Sequence, residues 1–208
     1  MESSLKNMVL VLFTITLLSS AAVGGVYLIT KEPIAQAKEA AVNNALKQVL
    51  PEFEATTKQT IEVNAMPIVA HTATVADKAV GYAIESISKN GFGGAVRIMV
   101  GFDTEGNIVN INVLEQKETP GLGTKMADEG NALHTSLVGK NAGKVNLTVK
   151  KDGGDIDALT AATISSRAYA EAVAIAYEAF KVACGWQSTA GDVATGASKQ
   201  EQKGGQNE

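Results

Sequence analysis

Lys78-Ala79-Val80-Gly81-Tyr82-Ala83-Ile84-Glu85-Ser86-Ile87 has the alternation of a half-buried strand. Asn90-Gly91-Phe92-Gly93-Gly94 supplies a turn, and Ala95-Val96-Arg97-Ile98-Met99-Val100-Gly101-Phe102 reads as a second strand. Asp103-Thr104-Glu105-Gly106-Asn107 makes the next turn, before a third strand, Ile108-Val109-Asn110-Ile111-Asn112-Val113-Leu114. Connections this short, rich in Gly, Asn and Asp, join antiparallel neighbours. Upstream, residues 52–67 read as mixed and irregular, with a short strand possible at Thr60-Ile61-Glu62-Val63. Downstream, residues 126–138 predict a short helix and 144–150 a further strand. Residues 164–182 close the domain as a helix, because Ile164, Ala168, Ala172, Ile175, Ala176, Ala179 and Val182 recur at intervals of three and four. The fold class is α+β, an antiparallel sheet packed by helices.

Ahead of this domain, residues 8–29 run for 22 positions without a charge. At 1.5 Å per residue such a helix reaches about 33 Å, enough for the ~30 Å hydrocarbon layer. Ser20-Ala21-Ala22 resembles a signal-peptide cleavage site, yet the apolar run continues past it through Val26-Tyr27-Leu28-Ile29. A secretory apolar region is normally about 7–15 residues, so a retained transmembrane anchor is the better reading. Residues 34–50, rich in Ala, Lys, Gln and Glu, predict a membrane-proximal helix ended by Pro51. The expected organisation is therefore an N-terminal tail at 1–7, a transmembrane helix at 8–30, a membrane-proximal helix and linker at 31–67, the main domain at 68–186 and a disordered tail at 187–208. That tail has Val193 as its one large apolar residue, too little to offset its ordering entropy. Lys6 on one side of the span nearly balances Lys31 and Lys38 on the other, so charge leaves the orientation open.

A net charge of −4 gives no footprint for nucleic acid. His71 and His134 are far apart in sequence and lack neighbours at metal-ligand spacing, so no metal site is expected. Cys184 is the single cysteine, which rules out an intrachain disulfide and a cysteine-held iron–sulfur cluster.

Three segments carry chemistry. Asp157-Ala158-Leu159-Thr160-Ala161-Ala162-Thr163-Ile164-Ser165-Ser166 crowds small and hydroxyl residues at the start of the last helix. Two readings stand: Asp157 or Thr160 caps the helix, or the unpaired N–H groups of its first turn hold an anion beside Thr163. Gly91-Phe92-Gly93-Gly94 is more glycine than a hairpin needs, and glycine also lets backbone approach a flat ligand. Glu118-Thr119-Pro120-Gly121-Leu122-Gly123 predicts a type II turn at Pro120-Gly121, with an apolar side chain held between two glycines.

Taken in chain order, Gly91-Phe92-Gly93-Gly94, then Asp103-x-x-Gly106-x-Ile108, then the 118–123 segment, then the 157–166 run together resemble the FMN-binding domain family. Over residues 1–185, including the anchor, the chain is similar to the RnfG family, the G subunits of the Rnf ion-translocating electron-transport complex. The C subunit of the sodium-pumping NADH:quinone oxidoreductase shares the domain and is the alternative, although its chain is usually longer. A non-redox extracytoplasmic binding domain on the same fold is a further alternative. The resemblance implies FMN joined by a phosphoester to Thr163 through a flavin transferase, which would recognise Asp157, Thr160, Ala162 and Thr163. It implies further cofactor neighbours among Thr160, Ala162, Ser165, Glu118, Thr119, Gly121, Leu122, Gly123, Gly93 and Gly94. Ala161 stands where the family usually has glycine, and Thr160 where serine is common. The implied function is an electron relay in ferredoxin–NAD electron transfer coupled to Na⁺ or H⁺ translocation, the chain not being catalytic alone. Partners would be the other members of the complex and the lipid bilayer. The implied placement is the cytoplasmic membrane, with the N-terminus inside and the flavin domain on the outer face.

Overall fold

Every strand of the sheet pairs with the strand that follows it in the chain. The computed structural model describes residues 4–186, and the expected tail at 187–208 lies outside them. The strands are β1 (Ala55–Val63), β2 (Met66–Val75), β3 (Lys78–Ser88), β4 (Val96–Phe102) and β5 (Ile108–Glu115). All four pairings are antiparallel, in the order β1-β2-β3-β4-β5. The three strands anticipated from sequence are β3 to β5. The possible short strand at 60–63 is the end of a longer strand, β1, which occupies most of the stretch read as irregular, and β2 follows it through a two-residue turn. Asn64 and Ala65 in that turn, and Ala76 and Asp77 in the next, have φ of 52°, 58°, 48° and 61°. Positive φ at both central residues is the type I′ backbone whose twist matches paired strands. Glycine usually marks such a turn, and neither of these contains one.

α1 (Leu5–Val49) is a single helix of 45 residues that joins the apolar run to the membrane-proximal segment. Pro33 lies inside it and removes one backbone donor without ending it. Among the described residues this is the one helix long and apolar enough to cross a membrane. The chain divides into two compact units, Met1–Asn43 and Asn44–Glu208.

Within the second unit, α3 (Thr163–Ala183) lies on one face of the sheet. Ala168, Ala172, Ala176 and Ala179 are fully buried, and their short side chains let the helix come close to Ile84, Ile98, Val100 and Phe102. Ser86 on β3 donates its hydroxyl to the Ala172 carbonyl at 2.7 Å, so this buried polar group is satisfied. Phe102 and Phe180 stack at 4.8 Å, and the lone tryptophan, Trp186, sits edge-on to Phe180 at 5.3 Å. Alternate residues of β3 and β4 face the other way, where Ala45, Leu46, Val49 and Leu50 are buried. A Cβ at Gly101 would stand 1.8 Å from the Val49 carbonyl oxygen, so glycine there admits the end of α1.

Two expectations for the connecting segments need correction. Residues 126–138 do not form one helix. They contribute to a 3₁₀ turn, Gly123–Ala127, and then to α2 (Ala132–Leu137), with Gly130 at φ +75° breaking the run between them. Asn131 caps α2, its side chain accepting from the His134 N–H at 3.1 Å. Residues 144–150 form no strand. They end in an isolated bridge, Val149 to Ile156, and a 3₁₀ turn, Lys150–Asp152, which Gly153 closes in the left-handed region at φ +87°.

Candidate functional site

α3 begins without a side-chain cap. Its N-cap residue is Ala162, so the reading in which Asp157 or Thr160 caps the helix is overturned. Asp157 is drawn away by Lys150, whose ammonium stands 2.6 Å from Oδ1, and Thr160 is exposed. Ser166 ties the preceding loop down instead, accepting from the Leu159 N–H at 2.9 Å and donating to the Ala162 carbonyl at 2.9 Å. No side chain caps the first-turn N–H groups of α3, which leaves that helix start available to an anion. Thr163 is the first residue of the helix, half-buried, with its hydroxyl facing the Lys151 ammonium at 3.4 Å.

Ala161, immediately before the N-cap, sits at φ +60°. The chain adopts there the left-handed backbone for which glycine is suited, and it does so with a methyl group attached.

A buried carboxylate joins the three segments that the sequence singled out. Glu118 Oε1 accepts from the Gly93 N–H at 3.1 Å, and Oε2 accepts from the Ser165 hydroxyl at 2.5 Å. Ser165 is buried in the first turn of α3, so one side chain holds the glycine turn, the 118–123 loop and the helix start together. The glycines serve close approach more than flexibility. A Cβ at Gly93 would lie 1.7 Å from the Lys117 carbonyl oxygen, and one at Gly123 would lie 2.7 Å from both Ser165 Oγ and Glu118 Cβ. Gly121 has φ +74°, as the second central residue of a type II turn requires, and Leu122 N–H bonds back to the Thr119 carbonyl at 3.2 Å.

Between these segments opens a cleft of about 600 Å³. Phe92 comes from the glycine turn, Thr119 and Leu122 from the 118–123 loop, and Ala161 to Ser165 from the start of α3. Of the expected cofactor neighbours, Thr163, Ala162, Ser165, Thr119 and Leu122 line it. Glu118, Gly93 and Gly123 brace its walls, while Asp157, Thr160, Gly94 and Gly121 lie outside the lining. Phe92, Leu122 and Ile164 are large apolar side chains that nevertheless stay 68%, 41% and 47% exposed. Three such residues around one cleft mark a surface that a flat apolar ligand would cover. Phe92, Ile164 and Lys151 were not singled out as site residues. An aromatic within a glycine turn was the available signal for the first; no local pattern distinguishes Lys151 from any other surface lysine.

A flavin fits what is present: an apolar cleft of suitable volume, walls in which glycine leaves room for closely packed backbone, and a hydroxyl at a helix start for the phosphate end. The fold and this site define an FMN-binding domain, and the family model of that description matches residues 91–178. A second family model, the RnfG N-terminal region, matches residues 1–49. The chain is 38% identical over 159 residues to the G subunit of the ion-translocating oxidoreductase complex from Vibrio vulnificus (strain YJ016), covering 70% of this chain and 74% of that one. It is 34% identical over 187 residues to the protein of the same name from Vibrio atlanticus (strain LGP32), covering 83% and 88%. With the counterpart from Shewanella baltica (strain OS223) identity is 42% over 110 residues, 51% and 52% of the two chains. The chain belongs to this family, the G subunits of ion-translocating oxidoreductase complexes.

Proposed function

We propose that this chain is a single-pass membrane electron relay whose FMN is esterified through its phosphate to Thr163. The observation that carries the reading is the placement of the Thr163 hydroxyl on the rim of the cleft that Phe92, Leu122 and Ile164 leave uncovered. A bound flavin supplies reversible one- and two-electron chemistry. The chain supplies the rest. Thr163 offers an ester oxygen at the phosphate end, so the bond is a tether that keeps the ring at high effective concentration without altering it. Phe92, Leu122 and Ile164 cover the ring and exclude water from it. Glu118 fixes the walls, so that the ring environment is set by packing and hydrogen bonds.

The relay works inside a larger assembly. This chain has one cysteine and no nucleotide-binding glycine motif, so ferredoxin and NAD chemistry belong to the other members of the translocating complex. A flavin transferase performs the esterification, and the flavin domain stands on the extracytoplasmic side of the membrane.

In-gel ultraviolet fluorescence of the denatured chain, produced together with its transferase, tests the attachment. A fluorescent band is expected for the wild type and none for Thr163→Val; a dark wild-type band sinks the covalent reading and favours a non-redox binding domain. A reporter active only outside the cytoplasm, fused after Glu208, is expected to be active, and activity from a cytoplasm-only reporter overturns the orientation.

A further inference from the structure

We propose that Lys151 is a positioning residue for the flavin phosphate, its ammonium forming the counter-ion of the phosphodiester at Thr163. The inference rests on the attachment reading above and adds to it the residue that holds the anion. Three cations border the start of α3. Lys150 is paired with Asp157 at 2.6 Å, and Arg167 grips both oxygens of Asp152 at 2.7 Å. Lys151 directs its ammonium to Thr163 Oγ1 at 3.4 Å. Lys150 and Arg167 each hold a carboxylate directly, whereas Lys151 makes its side-chain hydrogen bond to the Thr163 hydroxyl, with Asp152 and Asp155 in the same loop. A phosphodiester at Thr163 carries one negative charge at neutral pH. The ammonium directed at Thr163 is therefore the cation placed to face that charge.

The backbone beneath Lys151 is held in place although its side chain is exposed. Val149 and Ile156 on either side of the turn are buried, and Lys150 N–H bonds to the Ile156 carbonyl at 2.8 Å. Asp152 N–H returns to the Val149 carbonyl at 2.8 Å and Gly153 N–H to that of Lys150 at 3.1 Å. Lys151 thus projects from a pinned single turn toward the acceptor. Transfer from FAD joins Thr163 Oγ1 to the FMN phosphorus as the FAD pyrophosphate P–O bond breaks; AMP leaves, the hydroxyl proton is released, and Oγ1 becomes a bridging oxygen. The two non-bridging phosphoryl oxygens then lie two bonds beyond Oγ1, through phosphorus, within reach of an ammonium already placed beside it.

The test uses the full chain in detergent with its flavin transferase and FAD, and measures the initial rate of flavinylation and the phosphorus-31 NMR shift of the product. Lys151→Gln is expected to slow the rate about 2- to 5-fold, the range an exposed ion pair supplies. Lys151→Arg restores the rate, and Lys58→Gln, on β1 at the far edge of the sheet, leaves it unchanged. Raising salt from about 0.1 M to about 1 M shortens the screening length from about 10 to about 3 Å, so it slows the wild type more than Lys151→Gln. The phosphorus resonance moves in Lys151→Gln and stays in Lys58→Gln, a signature that a merely structural role would not produce. Flavinylated wild type alongside a Lys151→Gln variant with the same rate, salt dependence and phosphorus shift overturns this proposal alone. A wild type that takes no flavin overturns the attachment reading and this proposal with it.

Discussion

Replacing Ala161 by glycine should stabilise the domain. Ala161 is exposed and holds φ at +60°, so its methyl group contributes strain with little compensating burial. An L-residue in the left-handed region costs about 1–2 kcal/mol. Glycine relieves this but enlarges the unfolded ensemble, which returns about 0.4–1 kcal/mol. The net expectation is a gain of about 0.5–1 kcal/mol, or about 1–4 °C in Tm for a unit of this size. Ala161→Val should lose at least about 1 kcal/mol, since a branched Cβ fits positive φ worst. Urea unfolding of the full chain in detergent, followed by fluorescence of the lone Trp186 against Phe180, gives the comparison. Because the left-handed turn already exists in the ground state, the extent of flavinylation is expected to equal that of the wild type in Ala161→Gly. An Ala161→Gly variant less stable than wild type would refute the assignment of strain to this residue.

Glu118→Ala should cost about 2–3 kcal/mol, since it leaves the Gly93 N–H and Ser165 hydroxyl without their buried acceptor. Glu118→Gln should cost only about 1 kcal/mol, because the Ser165 hydroxyl can turn to accept from the amide; urea midpoints separate the two. Gly123→Ala presses a methyl group onto Ser165 and should cost about 1–3 kcal/mol, with Gly93→Ala worse because its methyl meets backbone; thermal melts that rank them the other way contradict the close-approach reading. On the face of the sheet away from α3, burial pushes the Glu85 carboxyl up, but hydrogen bonds from His71 and Arg97 and their charges hold it below the ordinary glutamate value. A carboxyl depressed in the folded state adds stability that is complete above the ordinary value, about 4.3, and lost as pH falls through the lower folded value. Glu85→Gln should therefore cost about 2–3 kcal/mol at neutral pH, discounted for the partly exposed Arg97, and flatten the acid limb of the stability profile. An acid limb as steep as in the wild type would remove Glu85 from that role.

The sequence made β3, β4, β5 and the last helix legible because their signals are local. Alternation and glycine-bearing turns mark those strands, and the helix runs Thr163–Ala183 where periodicity placed 164–182. β2 and all of β1 before Thr60 were hidden by the turns: Asn64-Ala65 and Ala76-Asp77 take a backbone usually advertised by glycine. β1 also shows solvent most of its Thr, Lys and Gln residues, so alternation is faint there. At 144–150 a few apolar residues suggested a strand, but Gly153 turns the chain into a single bridge before a ladder can form. For the site, residue identities pointed to three segments that the fold brings together around one cleft. Glu118 as their common anchor was not legible, because its partners lie 25 and 47 residues away in sequence. Lys151 escaped for the same reason: only folding sets it beside Thr163.

The order of strands in the sheet bears on when the site comes into being. Each strand meets its sequence neighbour across a short loop, and such contacts form early because little chain entropy is spent in closing them. The Ser165–Glu118 bond spans 47 residues and needs α3 seated on a finished sheet. Thr163, the proposed acceptor, therefore reaches its setting last, and a transferase that reads the local backbone around it would modify only chains that have completed their fold. Under the proposed attachment, flavin transfer would sort finished chains from unfinished ones before assembly.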